Sequence, residues 1–97
     1  SRIISGKMRI EKEEVDLVAV ARHSFETLRP SAENKNIAFN FFAENESVLI
    51  EGDATRLQQI IGNLVHNAVK FTPEGGKIDV TLTNTGNRAR LKVKDTG

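Results

Sequence analysis

Between Asp53 and Gly76 the apolar residues Leu57, Ile60, Ile61, Leu64, Val65 and Ala68 recur at intervals of three and four, the spacing of one face of an amphipathic helix. Asp53 suits the N-cap, because a short carboxylate accepts from the free amides of a first helical turn. Advancing about 100° per residue, Arg56, Gln59, Asn63, Asn67 and Lys70 form a second, polar stripe. Asn67 adjoins the apolar edge, and Phe71 is placed further round, towards the core. Asparagines inside a helix compete with backbone hydrogen bonds. Taken alone, the stripe reads as a solvated helix face.

The same reading extends along the chain. Arg9 to Val15 predicts a charged first strand, at a sheet edge. Asp16 caps a helix whose core face is Leu17 or Val18, Ala21, Phe25, Leu28 and Ala32, with Pro30 late in it. Asn34 to Asn36 supplies a turn. Ile37, Phe39 and Phe41 alternate with polar or small residues in a half-buried strand, and Val48 to Ile50 forms a short buried one. After the central helix, Thr72 to Gly76 stops helical propagation. Ile78, Val80 and Leu82 make one face of a strand, and Thr83 to Asn87 a hairpin turn. The last strand turns Ala89, Leu91 and Val93 inward and Arg90, Lys92 and Lys94 outward. Asp95 shares the inward parity, and a core-facing carboxylate needs partners. This order, β-α-β-β-α-β-β, predicts an α/β (α+β) two-layer sandwich, with a mixed, largely antiparallel sheet covered on one face by helices.

Composition narrows the chemistry. The 97 residues carry 14 Lys and Arg against 13 Asp and Glu, so no nucleic-acid partner is indicated. The absence of cysteine excludes a disulfide framework, a thiolate metal site and a cysteine nucleophile. No apolar run approaches the ~20 residues of a membrane span, so the segment suits the cytoplasm, and any membrane anchor of a parent protein falls outside it. Neither His23 nor His66 has metal-ligand spacing to a second His, Cys or acidic cluster. Both read as ordinary side chains, His66 as a solvated one.

The string from Asp53 through Arg56-Leu57, Gln59, Asn63-Leu64, Asn67-Ala68, Lys70-Phe71-Thr72 and Gly75-Gly76 resembles the N box of sensor histidine kinases, within the GHKL ATPase superfamily. Asp95-Thr96-Gly97 resembles the start of that family's first glycine box. The resemblance implies the Bergerat ATP-binding fold, incomplete at the C-terminus, with ATP and Mg2+ as cofactors. It implies that Asn67 ligates the metal, that Asn63 sits near the phosphates or a metal-bound water, and that Lys70 contacts phosphate oxygens. Phe71 packs near the adenine, Asp95 accepts from its amino group, and Gly97 lets the base approach. Asn63 and Lys70 are then the residues closest to the catalytic step. Residues 1–8 resemble the end of the dimerisation and phosphoacceptor helix with its linker, and 9–97 the N-terminal portion of the ATP-binding domain.

The ATP-hydrolysing members carry a glutamate where Asn63 stands. An amide has no useful basicity, so transfer to an external nucleophile is favoured over attack by water. The implied function is ATP-dependent autophosphorylation of a histidine in a homodimeric two-component kinase, followed by transfer to the receiver domain of a response regulator. The kinase's own phosphoacceptor helices supply the nucleophile. Two other classes stand beside this reading: a GHKL ATPase or serine kinase, against which Asn63 counts, and a non-catalytic GHKL-like module for binding or assembly. The ATP lid and later glycine boxes do not appear in these residues. The segment alone is therefore expected to bind ATP poorly, to lack kinase activity and to self-associate through exposed edges.

Overall fold

The computed structural model describes residues 13–85 and 88–96. The elements are β1 (Glu13–Asp16), α1 (Leu17–Asn34), β2 (Ala38–Ala43), β3 (Leu49–Gly52), α2 (Ala54–Phe71), β4 (Lys77–Thr85) and β5 (Arg88–Asp95), in the expected order. The strands divide into two sheets. β1 and β3 pair antiparallel, while β2, β4 and β5 form a second sheet in which β2 runs parallel to β4 and β4 antiparallel to β5. Of the strand expected over Arg9 to Val15, residues 9–12 lie outside the described residues. The remainder pairs with β3 alone.

Asp16 ends β1 and starts α1. Its Oδ1 accepts from the Val18 amide at 3.0 Å and from the Val48 amide at 3.1 Å, so one carboxylate caps the helix and fixes the entry to β3. Pro30 lies within α1, which continues to Asn34. Asn36 then takes a left-handed φ of 56°, a region asparagine tolerates, and its side-chain amide donates to Glu74 at 3.2 Å.

The core lies between helices and sheet. Val18, Ala21, Phe25, Val65, Ala68, Ile78, Val80 and Leu82 are all buried. Phe25 stacks on Phe39 with ring centroids 4.1 Å apart. Ala89, Leu91 and Val93 pack against this core from β5.

Several expectations are corrected. Ile60 and Leu64, assigned to the core stripe, are 53% and 48% exposed. The buried meridian of α2 runs through Ile61, Val65, Ala68 and Val69, so the contact is rotated away from Ile60 and Leu64. Phe71, expected towards the core, is 67% exposed. At ~100° per residue it shares a meridian with Ile60 and Leu64. Leu49 is exposed in the strand expected to be buried, because β3 turns only alternate residues inward. Thr83 to Thr85 are strand rather than turn, since Thr83 pairs with Arg90 and Asn84 with Ala89. The rest of that expected turn, Gly86 and Asn87, lies outside the described residues.

Candidate functional site

The polar stripe of α2 faces solvent. Arg56, Gln59, Asn63, Asn67 and Lys70 are all exposed. Asp53 fixes the start of this helix, its Oδ1 accepting from the Arg56 amide at 3.1 Å. Asn67 is flanked along the helix by the exposed apolar side chains of Leu64 and Phe71, which lie within ~60° of it at 100° per residue. An amide therefore stands in an otherwise apolar, solvent-facing strip. Lys70 Nζ lies 5.3 Å from the centroid of the Phe71 ring. Among the described residues, the side chains of Asn63 and Asn67 form no hydrogen bond within the protein. Their oxygens are uncommitted acceptors.

The far end of α2 is tied to the end of β5. Gly76 stands where a Cβ would collide with Thr72 Cγ2 and lie 2.9 Å from Thr96 Oγ1 and 3.0 Å from the Pro73 carbonyl oxygen. Thr96 Oγ1 accepts from the Lys77 amide at 3.0 Å, and the Thr96 amide donates to the Lys77 carbonyl at 3.1 Å. This close approach brings Asp95 to the exit of the helix that carries Lys70 and Phe71. Asp95 pairs with Ile78 across the ladder, so it has the expected helix-side parity. Its side chain is nevertheless exposed. Gly97 lies outside the described residues.

Sequence reasoning missed Lys35, whose ammonium reaches the last carbonyls of α2. It lies in the turn after the other helix, so nothing local marks it. Histidines 23 and 66, read separately in the sequence, line one groove of about 320 Å3 between α1 and α2, together with Asn63. Asn67, Lys70 and Phe71 do not line it.

The donor set suits an anion with a hard cation. Neutral amide oxygens are ligands for Mg2+, a lysine is a compact partner for phosphate, and an exposed phenylalanine offers an apolar plate. Residues 52–97 match the family described as histidine kinase-, DNA gyrase B-, and HSP90-like ATPase. The adaptive-response sensory kinase SasA of Thermosynechococcus vestitus is 33% identical over 92 residues, spanning 94% of this chain and 24% of SasA. The histidine kinase ThkA, solved in complex with the response regulator protein TrrA, superposes with a TM-score of 0.85 at 30% identity, covering 97% of this chain and 29% of ThkA. Residues 52–97 belong to this ATPase family, and the relatives matched over the whole chain include sensor histidine kinases. Full-length ShkA, solved in complex with AMPPNP, matches with a TM-score of 0.79 and 34% identity over 93% of this chain and 19% of its own. The chain spans about a quarter or less of the length of these curated relatives. Among the described residues no helix is long and apolar enough to cross a membrane.

Proposed function

We propose that this chain holds ATP and Mg2+ on the exposed stripe of α2 and presents the terminal phosphate for phosphorylation of a histidine. The phosphoryl group then passes to an aspartate of a response regulator. The observation that carries this reading is the strip itself: Asn63, Asn67 and Lys70 lie uncovered along one side of α2, and the Gly76–Thr96 closure delivers Asp95 to its end. The AMPPNP bound by ShkA and the regulator bound by ThkA support it by relationship.

In this reading Asn67 is the metal ligand and Asn63 orients a phosphate oxygen or a metal-bound water. Lys70 offsets phosphate charge, Phe71 covers the base, and Asp95 accepts from the adenine amine. Gly97 leaves room for the base. Bound Mg2+ neutralises phosphate charge as it develops. The contribution of the chain is positioning, with no residue on the stripe able to activate water. Residues 1–8 would end a dimerisation and phosphoacceptor helix of a homodimer, and residues 9–97 would form the N-terminal part of the ATP-binding domain.

The test is Asn67→Ala in the full-length protein, assayed with labelled ATP beside His23→Ala. The expected result is near-complete loss of autophosphorylation in the first and near-normal activity in the second. Retained phosphorylation in Asn67→Ala would overturn the assignment.

A further inference from the structure

The sheet has a second face, turned away from the helices. Along β5 the side chains of Ala89, Leu91 and Val93 pack inward, while Arg88, Arg90, Lys92 and Lys94 are exposed on the opposite face. Successive members are two residues apart, so the four cations form a straight row with steps of ~6.6 Å and a length of ~20 Å. Among the described residues, ion pairs occur between Arg29 and Glu26 and between Lys77 and Asp79. None involves this row. Its cross-strand neighbours are Thr83 opposite Arg90, Thr81 opposite Lys92 and Asp79 opposite Lys94. Asp79 is already engaged, accepting from the Asn40 side-chain amide at 3.0 Å and lying 3.8 Å from Lys77 Nζ.

At one end, Thr83, Arg88, Ala89 and Arg90 line a concavity of about 350 Å3. A lining that includes two arginines and a threonine suits a carboxylate, which takes paired donors from arginine. Four like charges in line repel one another, and none of them caps a helix or neutralises an acid within the described fold. Charges on a strand can serve simply to discourage pairing with other strands. That role accounts for their sign but not for a concavity lined by two arginines.

We propose that the outer face of β5 is a docking track for an acidic, extended segment of a partner protein. Its carboxylates occupy alternate positions, and one is seated between Arg88 and Arg90. The period of the row is that of side chains on one face of an extended strand. On this face the neighbouring strand presents Thr81, Thr83 and the Lys77–Asp79 pair, so its one cation is matched by an acid while the row on β5 is not. A membrane surface is better matched by a broad basic patch. Single-stranded nucleic acid needs aromatic platforms along its path, and the aromatic on this face, Phe42, stands two strands away, opposite Thr81 across the parallel ladder. This inference does not depend on the nucleotide reading.

The experiment uses the full-length protein and a short fluorescent peptide of alternating Asp and Thr, followed by anisotropy at low and high salt. Binding is expected at low salt, weaker for a peptide of the same composition with its acids in one block. Arg90→Gln combined with Lys92→Gln should weaken it roughly tenfold without changing the melting temperature. Arg22→Gln combined with Arg29→Gln, which removes an equal charge from α1, should leave it unchanged. Equal affinity of the double variant for the peptide would overturn the proposal. So would failure of the peptide to bind while the protein binds phosphatidylserine vesicles or oligothymidylate.

Discussion

Lys35 donates from its ammonium to the carbonyl of Val69 at 2.9 Å and to that of Lys70 at 3.2 Å. The last carbonyls of a helix have no partner within it, and they carry the negative end of its dipole. A cation from the turn after α1 thus finishes α2. The backbone of Lys35 adds a further tie, its carbonyl accepting from the Gly75 amide at 2.9 Å. The turn that carries the end of the candidate site is gripped by one residue from both sides.

Lys35→Met keeps the length of the side chain and removes its donors. It should cost about 1–2 kcal/mol, a charged hydrogen bond together with the dipole contribution. Denaturant unfolding measures the loss, and amide exchange should quicken in the last turn of α2. An unchanged unfolding midpoint would show that solvent satisfies those carbonyls equally well.

Thr72 is fully buried, and among the described residues its hydroxyl has no hydrogen-bond partner. Its methyl Cγ2 is the nearest atom to the missing Cβ of Gly76, so the shape of the side chain is what the turn uses. Thr72→Val preserves that shape and removes an unpaired polar group. Stability should stay level or rise by about 1 kcal/mol. A clear fall in the midpoint would mean that the hydroxyl has a partner, such as a bound water.

Asp95→Asn tests the nucleotide reading at its other end. The substitution retains size and removes the charge of the acceptor. ATP affinity of the full-length protein should weaken by about 1–3 kcal/mol, with little change in stability because the side chain is exposed. Calorimetric titration giving equal affinities would remove Asp95 from the site.

How much could be read beforehand depended on whether the signal was local. Asp16 and Asp53 were legible as caps because a cap is decided within a few residues, and Ile78, Val80 and Leu82 because alternation is written into the strand itself. Ile60, Leu64 and Phe71 were misplaced for the opposite reason. Periodicity shows that apolar residues share a helix face, but which edge meets the sheet is set by how α1 and β5 seat against it. The candidate site was legible as a string of residue types. Its join to β5 was not, because the crowding of Gly76 against Thr72 and Thr96 is a contact between segments about 20 residues apart.

That join also bears on the order in which the molecule assembles. The α2 stripe needs only local contacts and can form early, whereas Thr96 meets Lys77 only after β4 and β5 have zipped along their full length, and β2 must also add in parallel. Long closures are slow because loop entropy is lost before the contacts form. Lys70 and Phe71 would therefore be displayed before Asp95 arrives, and the candidate site would be among the last parts of the fold to mature. Pulse-labelled hydrogen exchange during refolding should find the Lys77 amide protected after those of mid-α2. Simultaneous protection would mean that helix and hairpin condense as one unit.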